Sequence, residues 1–153
     1  MRGSGVKEMN SIRGEGIRQV EKKLIKTHRD LEVYRTSSEA AKQIFSKSKS
    51  FPIEERYSLT DQVRRSSRSV CANLAEAWRK RRYEASFISK LSDAEAEAAE
   101  TQVWSEFAVE CGYLRAEIGR ELLASYENII GKIVSLINKP DPWLLPGAKR
   151  RYL

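Results

Sequence analysis

Glycine and proline are scarce in this chain, at eight and four in 153 residues, and three of the four prolines (Pro140, Pro142 and Pro146) are gathered at the C-terminal end. That scarcity argues against a turn-rich β protein and favours long uninterrupted helices. Cysteine is reduced to Cys71 and Cys111, without CxxC spacing, and histidine to His28 alone. Two separated thiols make no disulfide framework, and one imidazole cannot complete a zinc site of the usual spacing, so both cysteines are expected as buried, reduced thiols inside helices. No apolar run approaches the ~18 residues that span a bilayer. Residues 1–20 hold no apolar signal core, which leads to the expectation of a cytoplasmic protein without a membrane segment.

Catalytic constellations are missing too. A serine or cysteine nucleophile needs a nearby base, and His28 stands at an expected helix start with no companion signature. There is no glycine-rich phosphate loop. The carboxylates between Glu84 and Glu110 recur without the Glu-x-x-His pairs of bundle metal sites. The expectation is a protein that is not an enzyme and carries no cofactor and no metal.

What the chain does have is apolar periodicity and segregated charge. Its length is that of one domain and its hydrophobic fraction of 41% is enough for a core. The net charge of +7 points toward polyanionic partners, so its placement matters. Residues 1–30 hold eight basic groups against four acidic, and residues 139–153 four against one; residues 31–138 are balanced at sixteen each. Within that neutral centre, residues 56–82 are basic and residues 84–111 acidic. Either the two faces neutralise one another within or between subunits, or the basic face stays open to phosphate.

The organising stretch is Leu59 to Lys80. At about 100° per residue, Leu59, Val63, Val70, Leu74, Ala77 and Trp78 share one side, with Arg64, Arg68, Arg79 and Arg82 nearly opposite. This predicts a helix with a core face and a cationic face. Before it, a helix capped by Thr27 or Asp30 is expected to turn Leu31, Tyr34, Ser38, Ala41 and Phe45 inward and to stop before Phe51-Pro52. Pro52 suits the first turn of the next helix, with Glu54 and Glu55 at its positive dipole end. A third helix, from about Tyr83 to Cys111, carries the heptad-like seam Phe87, Leu91, Ala94, Ala98, Thr101, Ser105, Ala108, with Trp104 and Phe107 beside it as core or subunit anchors. Gly112 ends it. The fourth carries Ile118, Leu122, Tyr126, Ile129, Ile133 and Ile137, backed by Leu123, Ile130, Val134 and Leu136, a band wide enough to suggest burial between subunits.

The fold class is therefore all-α: an antiparallel up-and-down four-helix bundle over residues 30–138. It is preceded by a basic, partly disordered or partly helical arm (1–29) bearing Ile17, Val20, Leu24 and Ile25, whose opening MRGSG is a native start or an added leader. It is followed by a Pro-rich, extended basic tail (139–153) in which Pro142-Trp143-Leu144-Leu145-Pro146 is expected to dock back on the bundle and Lys149, Arg150 and Arg151 form the tip. Candidate phosphate-positioning groups are Arg64, Arg65, Arg68, Arg79, Lys80, Arg81 and Arg82, the last four also favoured at a helix C-terminus by the macrodipole alone. Asn73 and Glu76, on the flank of helix two, read as a buried polar pair, a subunit contact or a solvated edge.

Residues 30–138 resemble the 23S rRNA intervening-sequence protein family. The likeness is carried by Asp30-Leu31-Glu32-Val33-Tyr34, Phe51-Pro52, Glu55-Arg56-Tyr57, Leu59-Thr60, Gln62, Arg64-Arg65 and Ser69-Val70. It continues in Ala72-Asn73-Leu74-Ala75-Glu76, Glu100-Thr101-Gln102 and Gly112-Tyr113-Leu114. Ala77-Trp78 departs from it, standing where many members have a glycine after the Ala-Glu pair. The resemblance implies a bundle that assembles as a ring, most often a homopentamer, with Asn73, Glu76, Glu100, Thr101 and Gln102 as structural polar or subunit-contact residues. Family members are encoded within intervening sequences of large-subunit rRNA genes or elsewhere in bacterial genomes. A related accessory (Avd-type) protein of diversity-generating retroelements binds nucleic acid and a reverse transcriptase. The implied partners are a second copy, RNA or DNA, and a reverse transcriptase. The competing expectation is an interaction scaffold in which the basic helix pairs with a neighbour's acidic helix and no nucleic acid is bound.

Overall fold

The computed structural model describes residues 25–149, and the expectations placed on Ile17, Val20, Leu24, the opening MRGSG, Arg150 and Arg151 lie outside them. Four α-helices account for most of the chain: α1 (Glu32–Ser48), α2 (Asp61–Arg79), α3 (Glu84–Glu110) and α4 (Ala116–Asn138). There is no strand among the described residues. Short links join consecutive helices, so neighbours run antiparallel, and α1 packs on α2 and α4 while α3 packs on the same two. This is the expected four-helix bundle.

The centre of the fold is the contact of α2 with α3. The seam expected for α3 is buried in full, from Phe87 through Ala94, Ala98 and Thr101 to Ala108. It meets Val63, Ser66, Ser67, Val70, Leu74 and Ala77 of α2, also buried. Alanine, serine and threonine at the middle of that contact let the two backbones approach closely. The hydroxyls placed there are satisfied locally: the Thr101 Oγ1 lies 2.8 Å from both the Ser66 Oγ and the Glu97 carbonyl, and Ser105 donates to the Thr101 carbonyl at 2.8 Å. Burial therefore leaves no polar penalty at the tightest point.

Helix boundaries follow local chemistry. Thr27 and Asp30 form a capping box, but around a short 3₁₀ turn, His28–Asp30; α1 itself starts one step later, after Leu31. α1 stops at Ser48, before Phe51-Pro52, as expected. Pro52 does not open α2. It leads into a 3₁₀ turn, Ile53–Glu55, and a π-turn, Arg56–Thr60, because the Glu55 carboxylate accepts from the Leu59 N–H at 3.2 Å and the Ser58 hydroxyl at 2.8 Å. α3 ends in the Schellman arrangement: Gly112 has φ +78°, its N–H donates to the Val109 carbonyl, and the Tyr113 N–H donates to Ala108 at 2.8 Å.

Two expectations are corrected. The inward stripe of α1 is Val33, Ser37, Ala40, Ala41, Ile44 and Ser48; Tyr34 and Ser38 are half-buried and Phe45 is 40% exposed. The small side chains seat α1 on the bundle and turn the aromatic ring outward. On α4, Leu122, Tyr126, Ile129 and Ile133 are buried, and Ile118, Ile130, Leu136 and Ile137 pack against the same core, so much of the wide apolar band is used within the subunit. The large apolar side chains left uncovered lie elsewhere: Val103 (45% exposed) and Phe107 (49%) on α3, Phe45 on α1, and Ile53 and Tyr57 on the link before α2.

The tail folds back on the end of the bundle. Trp143 meets Trp78 edge to face at 6.5 Å, Trp143 and Leu144 pack on the core, and Ala148 is buried. It is less extended than expected, with a 3₁₀ turn at Asp141–Trp143. Arg81 clamps it: the guanidinium stacks 3.4 Å over the Trp78 ring, Nε donates to the Trp78 carbonyl at 2.7 Å, and the Arg81 carbonyl accepts from the Leu145 N–H at 3.0 Å.

Two outcomes test this packing. A Cβ at Gly119 would stand 2.3 Å from the Val109 Cγ2, so Gly119→Ala is expected to lower stability by about 1–3 kcal/mol in urea unfolding, an overpacking cost that outweighs the ~1 kcal/mol helix-propensity gain. Adding Val109→Ala should return most of that stability. Arg81→Ala is expected to speed proteolytic cleavage within residues 140–149, and Arg81→Lys should not rescue it, because an ammonium cannot stack and fork as guanidinium does.

Candidate nucleic-acid interface

The core stripe of α2 fixes which way its arginines point. With Val63, Val70, Leu74, Ala77 and Trp78 inward, Arg65, Arg68 and Arg79 stand on the solvent side and Arg64 on the flank toward α1. From there the seven candidate cations separate into three groups.

Arg65 is neutralised within its own subunit. Its guanidinium reaches Glu100 at 2.5 Å and Glu97 at 3.4 Å, both on α3. Burial works to raise the Glu100 pKa, but the Trp104 indole N–H at 3.1 Å and the Arg65 charge hold it below the usual carboxylate range; Glu100 in turn raises that of Arg65. Arg81 is likewise not an open phosphate group. Desolvation lowers its pKa and its donors are turned onto Trp78 and the tail. Both side chains are engaged within the subunit for one reason: a helical wheel shows the angle of a side chain, not which neighbouring element lies at that angle.

The second group surrounds Phe45. Arg64 lies 4.9 Å from the ring centroid, Arg68 5.5 Å and Lys49 4.9 Å, and the Arg64 Nε donates to the Ser48 Oγ at 2.8 Å. Lys49 comes from the end of α1 and is not visible in the periodicity of α2. The signal that could have found it is the i,i+4 spacing of Phe45 and Lys49 on one helix face. None of these three cations has an ion pair among the described residues.

Arg79, Lys80 and Arg82 make the third group. They are exposed at the C-terminal end of α2, and no acidic partner meets them among the described residues. They lie about 16 Å along the helix from Arg68, eleven residues at 1.5 Å each, so the two open groups are distinct patches. Lys149 of the tail, by contrast, is bridged to Asp141 at 2.6 Å.

The five polar candidates fall at helix contacts or within a helix. Asn73 donates back to the Ser69 carbonyl at 3.0 Å, so it does not pair with Glu76. Glu76 meets Lys90 of α3 at 2.8 Å, and that contact raises the Lys90 pKa. Glu100 and Thr101 tie α3 to α2, whereas Gln102 donates to the Leu123 carbonyl at 3.3 Å and Glu127 at 3.1 Å on α4. Cys71 sits half-buried on the α1 side of α2, where burial pushes its thiol up to about 11, which keeps it protonated and a poor nucleophile at neutral pH; Cys111, expected buried, is exposed because it caps the end of α3 beside Gly112. Among the described residues no cluster of His, Cys, Asp and Glu could hold a metal ion, and no helix is long and apolar enough to cross a membrane.

Known proteins share this architecture. The family model described as 23S rRNA-intervening sequence protein matches residues 29–135, which run through all four helices. A crystal structure of a protein of unknown function from the S23 ribosomal protein family of Bacteroides thetaiotaomicron is 30% identical with a TM-score of 0.64, covering 70% of this chain and 96% of its own. No curated protein matches the chain. With its four helices, its short links and a family match over most of its length, the chain belongs to the 23S rRNA-intervening sequence protein family.

Proposed function

We propose that this protein is a non-catalytic, self-assembling bundle that binds structured RNA or DNA through phosphate contacts, in the cytoplasm. The observation that carries the reading is the run Arg79, Lys80 and Arg82: three exposed cations at one bundle end, with no acid to neutralise them among the described residues. Arg64, Arg68 and Lys49 around Phe45 form a second cationic patch. Cations presented this way meet phosphate oxygens and carry no base-reading pattern, so recognition follows shape and charge, not sequence. The ring assembly implied by the family resemblance fits the apolar surface left open on α3, and repetition around a ring would multiply weak contacts by avidity.

The alternative is an interaction scaffold whose basic helix pairs with the acidic helix of neighbours. It is favoured by Glu106 and Glu110, exposed on α3 without cationic partners among the described residues. Arg65 is already committed to Glu97 and Glu100 of its own subunit, which weakens that alternative at mid-helix.

One double reversal separates the two. Arg79→Glu with Arg82→Glu should abolish gel-shift binding to a mixed-sequence RNA hairpin and to duplex DNA while leaving the sedimentation coefficient unchanged. In the wild type, binding should fall steeply with salt, and neutralising single cations should flatten the log–log slope by about one for each phosphate no longer held. Unchanged binding would refute the assignment, and a broken assembly would favour the scaffold.

A further inference from the structure

The geometry points to a head-to-tail contact in which Phe107 of one subunit enters the hollow between α1 and α2 of a second copy of this chain. The inference rests on the self-assembly proposed above and names the surfaces that would carry it. α3 is apolar on both sides: opposite the buried seam runs an exposed stripe of Ala96, Ala99, Val103 and Phe107. Val103 and Phe107 are the large apolar side chains of that outer side, and both stay about half exposed in the single subunit.

The complementary surface is on the far side of the bundle. Tyr34, Ser38, Ala41, Lys42, Phe45, Arg68 and Cys71 line an open hollow of about 290 Å³. A cavity of about 150 Å³ admits benzene, so the space is sufficient for a phenyl ring. Charge matches as well as shape. Phe107 is flanked on its exposed side by Glu106 and Glu110, and the hollow is rimmed by Arg68 and by Lys42, which also meets Glu39 at 3.4 Å; the contact would cover Arg68 and leave Arg79, Lys80 and Arg82 as the phosphate-facing set.

Height along the bundle agrees too. Phe51, just beyond the end of α1, packs 5.8 Å from Tyr113, just beyond the end of α3, so Phe45 and Phe107 both lie toward the same end. Ile53 and Tyr57, strongly exposed on the link at that end, widen the apolar rim. A knob and a hollow on different faces define a heterologous contact, which closes into a ring where the rotation between subunits closes and otherwise climbs into a filament.

Sedimentation velocity on the full chain tests it with two variants, Phe107→Asp, and Lys42→Glu combined with Arg68→Glu. Each alone is expected to sediment as monomer where the wild type is assembled. An equimolar mixture should form a dimer and stop there, because the first variant keeps an intact hollow and the second an intact knob. Phe107 is half-exposed, so far-UV circular dichroism should stay as in the wild type; Phe107→Ala, a smaller change, should weaken association about tenfold or more. A wild-type monomer would overturn both this contact and the assembly reading. A wild type that assembles while Phe107→Asp and Phe107→Ala keep its mass would overturn this contact alone, and so would monomeric variants that fail to pair on mixing.

Discussion

The close approach of α2 and α3 over small side chains is the constraint on which the rest of the molecule depends. Ser66, Ser67, Ala94, Ala98, Thr101 and Ser105 bring two backbones together where larger residues would hold them apart, and the hydroxyls that permit this are bonded to helix carbonyls or to each other. Once that contact is made, the rotation of α2 about its axis is settled. The directions in which its arginines point follow from that rotation.

Charge then divides by what each cation can reach. An arginine beside the α2–α3 contact finds carboxylates 2.5–3.4 Å away and becomes a structural tie; one at the helix end finds two tryptophans and becomes a clamp on the tail. The cations left over are those for which the fold supplies no acid: a set gathered on the exposed ring of Phe45 and a set at the end of α2. A chain whose central charges balance in number can thus present open cationic surface, because neutrality in sum does not require neutrality in place.

Legibility varies with the kind of residue. The seam of α3 and the apolar side of α2 are readable residue by residue, since a long helix with one dry side must repeat at 3.6 and few other patterns satisfy that. The inward stripe of α1 reads about one position away from where it lies, because Ser37 and Ala40 carry little apolar signal while Phe45 carries much; the small residues go inward for closeness and the large one stays out among cations. Asn73 and Glu76 look like one polar pair and are two separate devices, a back-bond within α2 and a bridge to Lys90.

The sequence by itself determined the class of fold, the number of the helices, the stop signals at Pro52 and Gly112, and the segregation of charge, all of which are local or periodic and need no knowledge of neighbours. Only the tertiary structure decided which arginines are spent on the protein itself, that Lys49 joins Arg64 and Arg68, and that the uncovered apolar surface lies on α3 more than on α4. Those outcomes depend on which side chains from distant parts of the chain come within a few ångströms, and an ion pair or a stacked ring exists only at that distance.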